Sequence, residues 1–325
     1  MDLTALHTRE RMLLSRALRR GDPVRLVHRG RWPRAMAVDQ VGPLLDEVEC
    51  DDPRQQMALE SWRAPGGNKG PPQGPGVTVV VPTHRRAPWG IRALRDQDMP
   101  VRIKVLVNGA APRDIEEADV VELPWEGHGA TRARGLDDIE DPYVFFTVDD
   151  AIPLGRGFLR HLVEALESGP WDAVMARQVA WPDADPVTLA RTREWTPPGR
   201  AVVATGRADN VATLYRTEVL RQHPFPSVPI AEDAWWSRGR RVAYDPGAPV
   251  LHSHRRAAGS LYRRNRDIHE QLVRMGDAPL IPDVASLAAS LPGVVHPVLL
   301  AGPGELFNQV AELLGQWRGA YKARH

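Results

Sequence analysis

Cysteine is nearly absent: Cys50 is the one thiol in 325 residues. It has no partner for an internal disulfide and no companions for a cysteine-built zinc site, and it fits a reducing compartment. Long apolar runs are missing as well. No stretch reaches the roughly 20 residues that a membrane span needs. Residues 280–300 come closest, and Pro, Asp, Ser and His interrupt them. The first twenty residues are broken throughout by charge, so no secretory signal is expected and a cytoplasmic location is. An excess of one charge is also lacking. Lys plus Arg at 42 against Asp plus Glu at 41 leaves a net charge of +1, with no basic field to argue for nucleic acid.

What remains is the composition of a soluble globular chain, 42% hydrophobic and 26% charged, long enough for one large domain with appendages or for two domains. Residues 1–63 are Arg-rich and read as a helical extension, with Met12, Leu13, Leu14, Ala17 and Leu18 on one side. Residues 64–76, APGGNKGPPQGPG, form a Gly/Pro linker. From residue 77 the pattern changes. Short apolar runs rich in β-branched residues at 77–81, 101–107, 120–123, 143–148 and 171–176 predict strands, and 157–167 (GFLRHLVEALE) predicts a helix among them. Strands alternating with helices imply βαβ units and an α/β domain with a mostly parallel sheet over 77–256. Residues 257–325 read as helical again. Leu306, Phe307, Val310, Leu313, Leu314, Trp317 and Tyr321 make an apolar stripe at helical spacing. That stripe suits packing on the main domain, a homodimer contact or a peripheral contact with the inner face of a membrane.

The chemistry-bearing stretches lie in the α/β domain. In YVFFTVDDAIP (143–153) an apolar, β-prone run enters Asp149 and Asp150. The acids either belong to an Asp-rich turn or sit at the carboxyl end of a central strand, where open α/β sheets place ligands. VTVVVPTHRR (77–86) ends a strand at Thr83, and GHGATRARG (127–135) carries Arg132 and Arg134. In AEDAWW (231–236), Glu232 and Asp233 read either as acids favoured at a helix amino terminus or as a catalytic pair. VLHSHRR (250–256) sets His252 and His254 on one side of an extended chain, as a surface turn or as a chelating pair.

Taken in order, these stretches resemble a family-2 glycosyltransferase of the GT-A fold, and most closely its rhamnosyltransferase-like branch. That branch opens with a strand and PT, here VTVVVPT. It continues with an FNHGxxRN-type loop, here WEGHGATRA, and a strand ending TQDA before Pro, here TVDDAIP. A GRQ segment follows as ARQVAWPDADP, then NVATLYR, then FPSVPIAEDAWW, and finally a strand into HSH. The similarity spans about residues 77–266. Three departures stand out: Val107 occupies the position of a base-contacting Asp, with Asn108 beside it; Val148 replaces the first acid of the wider family's DxD motif; and the helix after Glu232 and Asp233 is a few residues short before GRRVAYDP, on the acceptor side.

The resemblance implies a Rossmann-like GT-A domain with helical extensions at both ends. It implies an inverting, metal-dependent transfer of a hexose or deoxyhexose, rhamnose by default, from a nucleoside-diphosphate sugar to a hydroxyl acceptor. The acceptor class stays open among glycan, lipid-linked and small-molecule hydroxyls. Asp150, His252 and His254 are implied as ligands of Mn2+ or Mg2+, and Asp233, with Glu232 second, as the general base. Thr83, Asn108, Arg132 and Asp149 are implied to border the donor, with Arg132 and Arg134 either steadying the diphosphate or lying on a solvated helix face; of Trp235 and Trp236, one is implied to floor the acceptor site and one equally fits the core. Val107 and Val148 also admit a catalytically silent relative that binds a nucleotide sugar or glycan as a partner subunit. A nucleotidyltransferase is a third reading, for which PTHRRAPWG is a poor signature loop.

Overall fold

A computed structural model of the chain describes Met12, Ser15 and residues 24–29, 32–37, 71–84, 88–109, 115, 118–181, 184–254 and 257–325. The helical expectation for 1–63 fails over β1 (Val24–Arg29) and β2 (Trp32–Ala37), which pair antiparallel with Val24 opposite Ala37. Pro33 fits an edge position in such a two-stranded ribbon far better than a helix interior. The rest of that segment, with Cys50 and most of the linker, lies outside the described residues.

The main domain runs β3 (Val77–Thr83), α1 (Ile91–Arg95), β4 (Val101–Asn108), β5 (Asp119–Leu123), α2 (His128–Arg134) and β6 (Tyr143–Thr147). It continues through β7 (Ile152–Pro153), α3 (Phe158–Glu167), β8 (Ala173–Val179), α4 (Pro186–Trp195), β9 (Val203–Thr205) and β10 (Ala212–Arg216), and ends with α5 (Thr217–Gln222), α6 (Glu232–Trp236) and β11 (Val242–Leu251). The strand order is β5-β4-β3-β6-β10-β8-β11-β7, with β9 on β11. Pairing is parallel from β5 through β6; β10 pairs antiparallel with both β6 and β8, and β11 is parallel to β8. Hence β3, β4, β5, β6, β8 and β11 all point the same way, with β10 reversed between β6 and β8 and the short β7 and β9 reversed against β11. Their carboxyl ends share one edge of the sheet, which is where a ligand crevice is expected.

The apolar runs are nearly continuous because the sheet is buried on both faces. Along β3, Val77, Val79 and Val81 join a core cluster with Phe158, Leu159 and Leu162 of α3, while Val80 faces a second cluster containing Tyr215, Phe225 and Trp236. Alternate residues thus serve opposite layers, as the period of two requires.

Beyond the sheet come α7 (Ala258–Arg274), α8 (Val284–Ser290), α9 (Val295–Ala301) and α10 (Glu305–Arg324). The α10 contact differs from the expected one. Its buried residues are Gln309, Gly315, Gly319 and Ala320, whereas Leu306, Phe307, Leu314 and Tyr321 are exposed. Small residues face α7 because the backbones meet: a Cβ on Gly315 would stand 2.5 Å from the Tyr262 carbonyl oxygen. Attachment to the main domain is polar, through Arg191 of α4, which reaches Gln309 at 2.7 Å and Glu312 at 2.8 Å. Among the described residues no helix is long and apolar enough to cross a membrane.

Candidate active site

The short strand β7 builds the first part of the site. It pairs antiparallel with the end of β11, Ile152 opposite Leu251. That register folds Asp150, two residues before Ile152, onto His252 and His254, which follow Leu251. Asp150 Oδ1 lies 3.6 Å from His252 Nε2, and its Oδ2 lies 3.5 Å from His254 Nδ1. The two imidazoles meet at 3.0 Å between their Nε2 atoms. One ligand atom from each residue falls within 4.8 Å of the others. Asp150 is 5% exposed and His252 8%, while His254 is half-buried and opens the cluster to the cleft. A carboxylate with two imidazoles is a donor set suited to a divalent transition metal.

Gln178, at the carboxyl end of β8, fixes one of those imidazoles. Its amide nitrogen donates to Asp209 Oδ2 at 2.7 Å, which leaves its Oε1 as the acceptor facing His252 Nδ1 at 3.0 Å. His252 Nδ1 then donates to Gln178, which orients the ring with Nε2 toward Asp150 and His254. Partners of this kind set tautomer and ring orientation. Gln178→Leu is therefore expected to weaken Mn2+ affinity by roughly 10–100-fold, read by Mn2+ titration; an unchanged affinity would reduce Gln178 to packing.

Asp149 points elsewhere. Its Oδ2 accepts from the Thr83 hydroxyl at 2.8 Å, and its carbonyl accepts from the Trp89 N–H at 2.8 Å. Both contacts tie the acid turn to the loop after β3.

The acids of α6 form the second part. Ala231, just before them, sits at φ 63°, ψ 28°, a left-handed conformation that is costly for a residue with a Cβ; such strain gathers at functional sites. The glycines of GHGATRARG matter because the loop before α6 rests on them. Gly129 N–H donates to Val228 O and His128 N–H to Pro229 O, both at 3.1 Å, and a Cβ on Gly129 would run into the Pro226 carbonyl. This contact brings α2 against α6, and Arg132 forms a buried ion pair with Glu232. Asn210 binds both acids: its side chain donates to Glu232 Oε1 at 3.1 Å and its backbone N–H to Asp233 Oδ2 at 3.0 Å. Asp233 Oδ1 accepts from the Ala234 N–H at 2.8 Å. Burial first, and the neighbouring Glu232 charge second, push the Asp233 carboxyl up to about 7. The two acids are thereby separated into an ion-paired Glu232 and a titrating Asp233. Asp209, next to Asn210, connects them through Gln178 to the imidazoles.

Several residues stand where the sequence reading did not put them. Arg132 is turned to Glu232 and Arg134 to Glu126 at 3.4 Å, so each faces a carboxylate of the chain. Asn108 is committed to the loop before α2: its amide donates to Glu126 O at 2.8 Å and Thr131 Oγ1 at 3.1 Å, and its Oδ1 accepts from Glu126 N–H at 2.9 Å. Trp236 is a core residue, 2% exposed, edge-on to Tyr215 at 4.8 Å, with its N–H donating to His223 O at 2.7 Å. Trp235, 43% exposed, is the ring of that pair that reaches solvent.

A cleft of about 930 Å³ opens beside the imidazoles, lined by His252, His254, Trp195, Arg207, Arg264 and Asn308 among others. Arg207 lies 3.4 Å over the Trp195 ring. The helical tail thus supplies one wall of the cleft. Gln178 and Asn210 fall in the ARQVAWPDADP and NVATLYR motifs but were given no role there, and Asp209 and Arg264 were not singled out in the sequence. A polar amide ending a strand as apolar as AVMARQV was the available signal for the first of them.

The fold is that of a GT-A-like glycosyltransferase. A mannosyltransferase from Pyrobaculum calidifontis, in complex with GDP-Man and Mn2+, superimposes with a TM-score of 0.54 at 17% identity, over 83% of this chain and 93% of that one. TarS residues 1–349 from S. aureus, with UDP-GlcNAc, give 0.40 at 14% identity over 74% of this chain and 90% of that one. GalNAc-T7 with UDP, GalNAc and Mn2+ gives 0.44 at 8% identity over 67% of this chain and 54% of that one. No family model and no curated protein matches the sequence.

Proposed function

We propose that the chain is a metal-dependent, inverting glycosyltransferase that moves a sugar from a nucleoside diphosphate to a hydroxyl acceptor. The carrying observation is the pairing, at one sheet edge, of the Asp150–His252–His254 cluster with a separate carboxyl, Asp233, pushed up to about 7. The fold shared with a mannosyltransferase solved with GDP-Man and Mn2+ supports the same reading.

In this reading Asp150, His252 and His254 would hold the cation. When bound, a divalent ion supplies Lewis-acid neutralisation of the departing diphosphate. The chain does the rest. Asp233 takes the proton of the acceptor hydroxyl, whose oxygen attacks the anomeric carbon while the bond from that carbon to the diphosphate oxygen breaks. A base with pKa near the operating pH is suited to that proton transfer. Glu232, engaged by Arg132 and Asn210, holds Asp233 in place and is not available as a nucleophile, so one displacement with inversion is the expected course. The acceptor enters the cleft beside the imidazoles, where Trp195 offers exposed ring surface to a sugar. Family 2, its rhamnosyltransferase-like branch and a deoxyhexose donor rest on the motif order.

The test is calorimetric titration with UDP, GDP and dTDP, each with Mn2+ and with EDTA. Binding of one nucleotide that depends on Mn2+ is expected and names the donor class. Failure of all three to bind would favour the silent relative, with Val107, a core residue 1% exposed, and Val148 as the reason.

A further inference from the structure

The cations that the sequence offered for the diphosphate are engaged elsewhere, Arg132 by Glu232 and Arg134 by Glu126. The cleft beside the metal cluster is lined by further arginines: Arg191, Arg207 and Arg264. Arg191 is held by Gln309 and Glu312. Arg207 donates to Trp195 O at 2.7 Å and lies flat on that ring. Arg264, on α7, makes no hydrogen bond or ion pair among the described residues. It nevertheless shares the cleft wall with His252 and His254. It also stands within electrostatic reach of His128, at the start of α2: burial first, then the charges of Arg132 and Arg264, lower that imidazole's pKa. Arg264 thus faces both the metal cluster and the first turn of the glycine loop, from a helix outside the α/β domain.

We propose that Arg264 binds the terminal phosphate of the nucleoside diphosphate and receives the negative charge released when the anomeric carbon–oxygen bond breaks. The proposal rests on the glycosyltransferase reading, since it needs a diphosphate at Asp150, His252 and His254. In that step the bonding pair stays on the phosphate oxygen, the new bond runs from the acceptor oxygen to the anomeric carbon, and the acceptor proton goes to Asp233. Arginine suits the phosphate role because its fork of N–H donors matches phosphate oxygens and its charge is permanent. An unpaired, exposed guanidinium can also be replaced without opening the core. The consequence for architecture is that the helical tail completes the donor site as well as walling the cleft.

The experiment compares wild type, Arg264→Met and Arg264→Lys in the full chain. Each is titrated with the nucleoside diphosphate that wild type binds and with the matching monophosphate, both with Mn2+, and thermal melts report the fold. Arg264→Met is expected to lose roughly tenfold or more in diphosphate affinity, with monophosphate affinity and the melt unchanged and partial recovery in Arg264→Lys. Equal binding of the diphosphate by wild type and Arg264→Met overturns the role of Arg264 and leaves the glycosyltransferase reading intact. So does an equal loss for both nucleotides, which marks a general effect on the site. If wild type binds no nucleotide, the glycosyltransferase reading fails and the assignment of Arg264 falls with it.

Discussion

Asp150→Ala is expected to abolish Mn2+-dependent binding of the nucleoside diphosphate while the fold persists. The carboxylate is the sole acidic member of the cluster, and the imidazoles of His252 and His254 cannot supply its negative charge. Loss of a direct ligand should exceed the roughly 10–100-fold that follows loss of an outer partner such as Gln178. The strand that carries it is secured through Thr83 and Asp149 on one side and the β7–β11 pairing on the other. The measurement is a melt and a nucleotide titration, each with and without Mn2+. Wild type should gain stability with Mn2+ and nucleotide together, as mass action requires. Asp150→Ala should melt normally and show no such gain. Asp150→Asn separates charge from shape, because it keeps an oxygen in place and should fail as well. Unchanged Mn2+-dependent affinity in both variants would remove Asp150 from the site.

The sequence made the sheet legible because both of its faces are buried. VTVVVPT, VRIKVLVN and YVFFT could scarcely be anything but inner strands, and the alternation of helices fixed their parallel sense. It concealed the reversed strand β10, because ATLYR has no turn or pattern that tells an antiparallel insertion from another parallel strand. The HSH spacing announced a shared face, and the β7–β11 register supplies the third ligand. Side-chain direction was not legible. Whether Arg132 meets phosphate or Glu232 depends on how closely α2 approaches α6, which the glycines permit but do not announce. Trp235 and Trp236 are neighbours in sequence, and only the packing of α6 on Tyr215 and Phe225 decides which ring enters the core. The tail misled for a related reason. Its large apolar residues drew attention, while the contact with α7 is made where side chains are smallest.

Asp233→Asn is expected to lower the transfer rate by roughly 10²–10⁴-fold while leaving Mn2+-dependent nucleotide binding intact, which separates it from Asp150→Ala. Its pH behaviour is the sharper test. The ordinary value for this carboxyl is 3.8, and burial with the Glu232 charge raises it to about 7. As a base the group must be ionised, so the wild-type rate should climb as pH rises through about 7 and then level off. Stability should run the other way. Between the ordinary and the raised value the folded chain keeps a proton that the unfolded chain has released, so this group's contribution falls as pH rises through that window. Asp233→Asn should lose both slopes, read from transfer rates and from denaturant midpoints at about pH 5 and about pH 8. Glu232→Gln gives the counter-test. It removes the negative neighbour and leaves the buried Arg132 without its partner, and both changes favour an ionised Asp233. The rate profile should therefore move to lower pH, even as the unpaired arginine costs the fold stability. A rising profile that survives in Asp233→Asn would hand the base role to another group. A profile unmoved in Glu232→Gln would mean that burial alone, without the neighbouring charge, sets the Asp233 carboxyl.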